Sequence, residues 1–245
     1  MRIDIYNFML VYLGALLVWG AWQAGPPAGG WIYLVSGILI AAVYALADVL
    51  WTYFRDRVWY QPWASVISGF IIALVGLPNP SWELIILLPL TAVALKQLVK
   101  IRTRRHIFNP AASALAVAGL GGFEAVSWWV PSLTSGGAML WVMLLAGLYI
   151  IYYLRRWETV VSFLIPYGLF FGLPKIFDGT LLFFTSVMLI EHVSSNFPGR
   201  RNRIIYGALV GIFAIFFTFL ELDFDPLIGG LLAGNLIMSV LTLLL

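Results

Sequence analysis

From Ile5 to the last residues the chain is a succession of apolar segments, and the breaks between them are short. The segments read at 6–23, 31–54, 64–78, 82–99, 110–123, 137–154, 158–172, 179–193, 203–220 and 226–244. A helix needs roughly 20 apolar residues to cross a bilayer, fewer where it is broken or buried in protein. This feature restricts the fold most, because a chain in hydrocarbon must satisfy every backbone N–H and C=O within itself. The expected fold class is all-α: a polytopic membrane protein of about ten transmembrane helices. Composition agrees, since 62% of residues are hydrophobic and 10% charged, a balance that soluble domains do not reach. Residues 1–245 read as a single integral membrane domain. Four segments, 64–78, 110–123, 158–172 and 179–193, are short for a span, so tilted or broken helices are expected there.

Charge sets the expected orientation. With the N-terminus in the cytoplasm and ten crossings, the inside receives Arg2, Arg55, Arg57, Lys96, Lys100, Arg102, Arg104, Arg105, Arg155, Arg156, Arg200, Arg201 and Arg203. Of the 14 basic residues only Lys175 is left outside. The positive-inside rule therefore predicts a multi-pass protein of the cell's inner (cytoplasmic) membrane with both termini cytoplasmic. The lipid bilayer is its first partner, and the basic loops would also meet anionic headgroups. Met1 to Asp4 is charged, and the apolar run that follows reads as a retained first span.

The residue inventory excludes several chemistries. The chain has no cysteine, so it cannot ligate an iron–sulfur cluster or a zinc ion through thiolates. Its two histidines, His106 and His192, are too few for a haem or metal cluster. Neither haem nor a metal is expected, nor a nucleic-acid partner.

Two stretches resemble one another. Asn109-Pro110 and Asp225-Pro226 each place a capping side chain before a proline, followed by small residues and a leucine, Leu115 or Leu231. Asn and Asp cap helices, and Pro is pre-set for a first turn. Each start opens the fifth helix of a five-helix half, roughly 1–130 and 131–245. Two helices earlier each half has a small, polar centre: Ser65, Ser68 and Gly69 in one, Thr185 and Ser186 in the other. Five is odd, so the halves cross in opposite directions, the plan of two inverted five-helix repeats with a site near their interface. Asn109 and Asp225 are then expected at that interface, with Ser68 and Thr185 nearby. The small residues at 111–118 and 229–234 serve either close helix packing or a ligand lining.

Ionisable groups inside apolar segments are costly and mark function. Asp48, Glu191 and His192 are the candidates for an ion or proton path. Lys96 is expected to snorkel toward the cytoplasm. Glu191-His192 is expected either to pair with Arg200, Arg201 or Arg203, or to relay a cation or proton. Asp48 lies in mid-helix, and sequence names no partner for it.

The stretch Arg105-His106-Ile107-Phe108-Asn109-Pro110-Ala111 resembles the GRHIFNPA signature of the NqrB/RnfD family. These are membrane subunits of the Na+-translocating NADH:quinone oxidoreductase and of Rnf electron-transport complexes. Ser65-Val66-Ile67-Ser68-Gly69-Phe70 with Leu77-Pro78 is similar to the family's TGLLLALxLP helix. Ser127-Trp128-Trp129 sits where the family has Ser-Trp. Asp178-Gly179-Thr180 through Glu191 resembles its SGATMLGAFFMLTDP segment, and Arg201 through Leu209 its GRLIFGALAG start. The resemblance runs over 60–245.

What it implies is a subunit that helps couple electron transfer to Na+ or H+ movement. Partner subunits would hold the NADH and iron–sulfur sites, since this chain has no dinucleotide fingerprint. The implied cofactor is a flavin, FMN or riboflavin, bound without a covalent link. Its expected ligands are Ser68, Gly69, Asn109, Pro110, Thr185, Ser186, Asp225 and Pro226. Full-length members attach FMN to a threonine in a loop after the fifth helix. Here that loop is nearly deleted, only Thr134 and Ser135 remain near it, and no covalent FMN is expected. Glu191-His192-Val193 also replaces the family's Thr-Asp-Pro. The inverted repeat and the lost loop motivate rival expectations: a channel or secondary carrier without redox role, or a scaffold for a partner flavoprotein.

Overall fold

A computed structural model describes residues 4–24, 30–101, 106–133, 137–220, 222 and 224–244. Met1, Arg2, Arg102, Arg104, Arg105, Thr134 and Ser135, named above, lie outside them. Each apolar segment forms a helix: α1 Ile5–Gln23, α2 Gly30–Asp56, α3 Trp63–Val75, α4 Trp82–Leu98 and α5 Pro110–Leu120. After a one-turn helix, α6 Trp129–Ser132, come α7 Ala138–Leu154 and α8 Trp157–Phe171. A 3-10 turn, Leu173–Phe177, leads to α9 Gly179–Phe183, which runs into a π-turn at Phe184–Met188. The chain ends with α10 Arg200–Thr218 and α11 Pro226–Leu244. Among the described residues there is no strand, only an isolated bridge between Lys100 and His106.

Four of these helices, Ile5–Gln23, Gly30–Asp56, Arg200–Thr218 and Pro226–Leu243, are long and apolar enough to cross a membrane. Their exposed faces carry large apolar side chains such as Val11, Leu39, Leu46 and Ile212, as lipid contact requires. The other apolar helices are shorter, as the sequence predicts for α3, α5, α8 and α9.

The eighth segment departs most from its expected range of 179–193. Its regular helix stops at Met188. The Thr185 hydroxyl donates to Leu181 O at 2.8 Å, and the Ser186 hydroxyl to Leu182 O at 2.6 Å. The backbone widens there, and Leu189 N reaches back to Phe184 O. Glu191 then turns its carboxylate onto the N–H groups of Val193 and Ser194, which starts a run of turns. A side chain that takes up backbone donors in this way competes with the helix.

α5 sits at the centre. Pro110, Ala111, Ala112, Ser113, Ala114, Leu115 and Ala116 are all buried, because α3, α4 and α11 pack round it. Within the first part of the chain α1 packs on α3, α2 on α3 and α4, and α4 on α5. In the second part α7 packs on α9 and the π-turn, α8 on α10, and α10 on α11. Small residues allow the closest crossings. A Cβ on Gly69 would lie 2.5 Å from Ala41 Cα, and one on Gly230 would lie 2.6 Å from Ala214 N. Gly69 therefore serves α2–α3 packing.

The C-terminal end of α3 is buried, so its free carbonyls need partners. The segment 127–129 supplies them. Ser127 N and Trp128 N donate to Val75 O, the Ser127 hydroxyl to Gly76 O and the Trp129 indole to Ala73 O. Trp128 takes a left-handed backbone, φ 51°, to make this turn.

Candidate functional site

One cavity gathers much of the polar chemistry. It encloses about 290 Å³, near the lower end of small-molecule sites. Its walls come from the start of α1 (Tyr6, Met9), the start of α3 (Ala64, Ile67, Ser68) and the end of α7 (Ile150, Tyr153). Lys96 enters from α4, and His106, Asn109 and Pro110 from the start of α5. Ser186, Glu191 and His192 complete it from the π-turn and the turns beyond. The lining is mostly apolar, with a few convergent polar groups.

The start of α5 is fixed from two sides. Asn109 Oδ1 accepts from Ala112 N at 3.1 Å, an N-cap, and its amide N–H lies 3.3 Å from Met188 O. One side chain thus joins the helix start to the π-turn. Ser68 and Ser186 donate their hydroxyl protons to their own helices, to Ala64 O and Leu182 O, which leaves oxygen lone pairs for the cavity.

Behind the Lys96 wall lies a charged network. Asp48 is fully buried. Its Oδ2 accepts from Lys96 Nζ at 2.6 Å, from the Ser65 hydroxyl at 2.5 Å and from the Tyr60 hydroxyl. Its Oδ1 accepts from Gln97 Nε2 at 2.6 Å, and Gln97 Oε1 accepts in turn from Arg55 and Lys100. Lys96, expected from sequence to snorkel, thus turns its ammonium onto a buried carboxylate for which the sequence named no partner. An unpaired buried carboxylate is costly, and the ion pair removes that cost. In the loop before α3, burial and then the bond to Asp48 push the Tyr60 hydroxyl up to about 12. Beyond the end of α4, Lys100 is held below the usual lysine range by burial, then by Arg55 and Lys96.

Glu191 meets a different partner from the one expected. It lies 3.5 Å from His106 Nε2, and both Ser194 donors reach it. Arg203 and Arg200 pair instead with Glu158, at 3.3 and 3.9 Å, because the α8–α10 contact brings that carboxylate nearer. His106 is buried, and its Nε2 has no hydrogen-bond partner among the described residues.

The sequence-predicted ligands divide. Ser68, Asn109, Pro110, Ser186, Glu191 and His192 line this cavity. Gly69 faces Ala41, Thr185 is buried within the π-turn, and Asp48 stands behind Lys96. Asp225 and Pro226 lie elsewhere, at the far end of α3, where Asp225 accepts from the Trp128 indole at 2.8 Å and caps Leu227 and Ile228. Burial holds the Asp225 carboxyl above the usual aspartate range, although Trp128 and the two backbone donors pull it down. Sequence reasoning missed Tyr6, Tyr60, Gln97 and Tyr153. Nothing in their local sequence marks them: Tyr60 and Gln97 act through Asp48, distant in the chain, and Tyr6 and Tyr153 reach the cavity wall only through the fold. No family model matches the chain, and no curated protein matches it.

Proposed function

We propose that this chain is the membrane subunit of an Rnf/Nqr-like electron-transport complex, and that its cavity holds a flavin without a covalent bond. The observation that carries this reading is the cavity itself. It forms where His106, Asn109 and Pro110 of the signature-like stretch meet Ser186 and Glu191 of the second family-like segment. The fit to a flavin ring rests on two features: an apolar lining and a lysine at the wall. The volume suits a ring system, with any ribityl tail passing out beside the exposed residues Tyr6, Tyr153 and His192. When bound, a flavin would supply one-electron and two-electron chemistry. The chain's own residues orient it and set its surroundings.

The wider reading is an inner-membrane protein of about ten spans in two inverted halves, 1–130 and 131–245, with both termini cytoplasmic. Support comes from the repeated pairings: α1–α3, α2–α4 and α4–α5 have counterparts in α7–α9, α8–α10 and α10–α11. α5 and α11, the equivalent helices, also touch. Glu191 and His192 are the proposed ion or proton path for Na+ or H+, whereas Asp48, a candidate from sequence, is already taken by Lys96. Partner subunits supply the electrons. A second reading, a secondary carrier without redox role, is favoured by one observation: a buried ion pair, Asp48–Lys96, at the wall of a central cavity.

The test is the absorption spectrum of the purified full chain after equilibration with riboflavin or FMN. A bound flavin that denaturation releases is the expected result. A chain that takes up neither flavin overturns the redox reading, and solute movement in liposomes would then favour the carrier.

A further inference from the structure

We infer that Lys96 sets the reduction potential of the ring in this cavity, and that Asp48 is the residue that positions it. The inference rests on the flavin reading above. It concerns any electron-accepting heteroaromatic ring that gains negative charge on reduction.

A lysine ammonium has three protons to donate. Lys96 gives one to Asp48 Oδ2 at 2.6 Å and one to Ser65 Oγ at 3.1 Å. Among the described residues no acceptor takes the third, and Lys96 lines the cavity. Its side chain is 19% exposed, whereas that of Asp48 is 0% exposed. The carboxylate is thus sealed behind the wall, and Lys96 is the member of the pair that lines the cavity. The Tyr44 ring, 5.9 Å from Nζ, closes one further side of the ammonium.

Asp48 cannot swing away, because Tyr60, Ser65 and Gln97 hold it from the loop, α3 and α4. Nor is its carboxylate open to a free cation, since Lys96 Nζ already stands at 2.6 Å. Its consequence is to keep a positive charge fixed at an apolar wall, where a preorganised charge acts more strongly than in water. Reduction brings an electron from a partner subunit's one-electron donor into the ring. No bond in this chain is made or broken; the added negative charge is met by the Lys96 N–H. Glu191 lines the same cavity and opposes this effect, with His106 as its near partner. The fixed cation nearby raises the potential of the bound ring.

The experiment is an equilibrium redox titration of the full chain loaded with riboflavin or FMN. Lys96→Gln is expected to lower the reduced-to-oxidised ratio at a set potential about tenfold, or about 59 mV for a one-electron couple. Lys96→Arg keeps most of the wild-type potential, and Asp48→Asn gives an intermediate value, because the charge stays but loses its aim. Lys96→Gln leaves a buried carboxylate unpaired, so the double variant Asp48→Asn/Lys96→Gln, which removes both charges, is titrated alongside it. A role in folding alone would leave the potential of the folded, loaded protein unchanged. Equal potentials in loaded wild type and loaded double variant overturn the inference and leave the flavin reading standing. A wild-type chain that binds no flavin overturns both.

Discussion

The starts of α5 and α11 use the same local chemistry and are put to different ends. Both have a side-chain oxygen that accepts from the backbone N–H of the first turn, and both follow it with proline. At Asn109 the cap is a carboxamide, so it can also donate, and it does so toward Met188 O. At Asp225 the cap is a carboxylate, so it can only accept, and it takes the Trp128 indole N–H. Asn109 is 1% exposed and borders the charged cavity, whereas Asp225 is partly buried at the other end of α3. The lesson is that a cap motif specifies a helix start, and the group across from it specifies the amino acid.

Exchanging the two caps tests that lesson. Asn109→Asp keeps the cap oxygen and loses the donor, and it puts a carboxylate beside Met188 O and in the same cavity as Glu191. Burying a charge without a partner costs several kcal/mol at least. The largest loss of stability in this comparison is therefore expected here, and it should exceed that of Asn109→Ala, which costs about 1–2 kcal/mol. Unfolding in detergent at neutral pH measures both. An Asn109→Asp chain as stable as wild type would mean that the Met188 contact carries no weight.

Asp225→Ala should cost somewhat less, about 1–2 kcal/mol, from a lost cap and a Trp128 indole left without its acceptor. Adding Trp128→Phe to it should recover part of the loss, because the stranded donor goes as well. No recovery would show that the indole already finds water.

Asp225→Asn should have the smallest effect, because the lost Trp128 bond is offset by the removal of a buried charge. Its one oxygen can still cap Leu227 and Ile228, which both meet Oδ1, but an amide nitrogen then replaces the Oδ2 that accepts from the Trp128 indole, and the charge is gone. The folded protein holds the Asp225 carboxyl above its ordinary value, chiefly by burial. Such a group stabilises the fold below its unfolded value and loses that contribution as pH rises through the folded one. The stability of Asp225→Asn relative to wild type is therefore expected to fall as the pH drops from 7 to below the ordinary aspartate range, because only the wild type gains from protonation. A relative stability of Asp225→Asn that rises on acidification would reverse the assignment.

What the sequence determined on its own was the set of helices and both capped starts. Apolar runs in a chain with so few charges leave the backbone no better partner than itself, and that argument needs no tertiary contact. Asn109-Pro110 and Asp225-Pro226 were legible for the same reason, since a cap acts within three residues of itself. Only the tertiary structure decided which polar groups meet. Lys96 reads as a snorkelling residue until α2 brings Asp48 to it from 48 positions away. Glu191 reads as a partner for Arg200, Arg201 or Arg203 until the turns after the π-turn aim it at His106, while Glu158 takes Arg200 and Arg203. Asp225 shares its motif with Asn109, yet α5 and α3 hold the two starts at opposite ends. The physical reason is common to all three. Local propensity acts over one turn of helix, whereas an ion pair or a cavity is fixed by which helices cross, and their crossing is set by small residues such as Gly69 and Gly230 that let backbones approach.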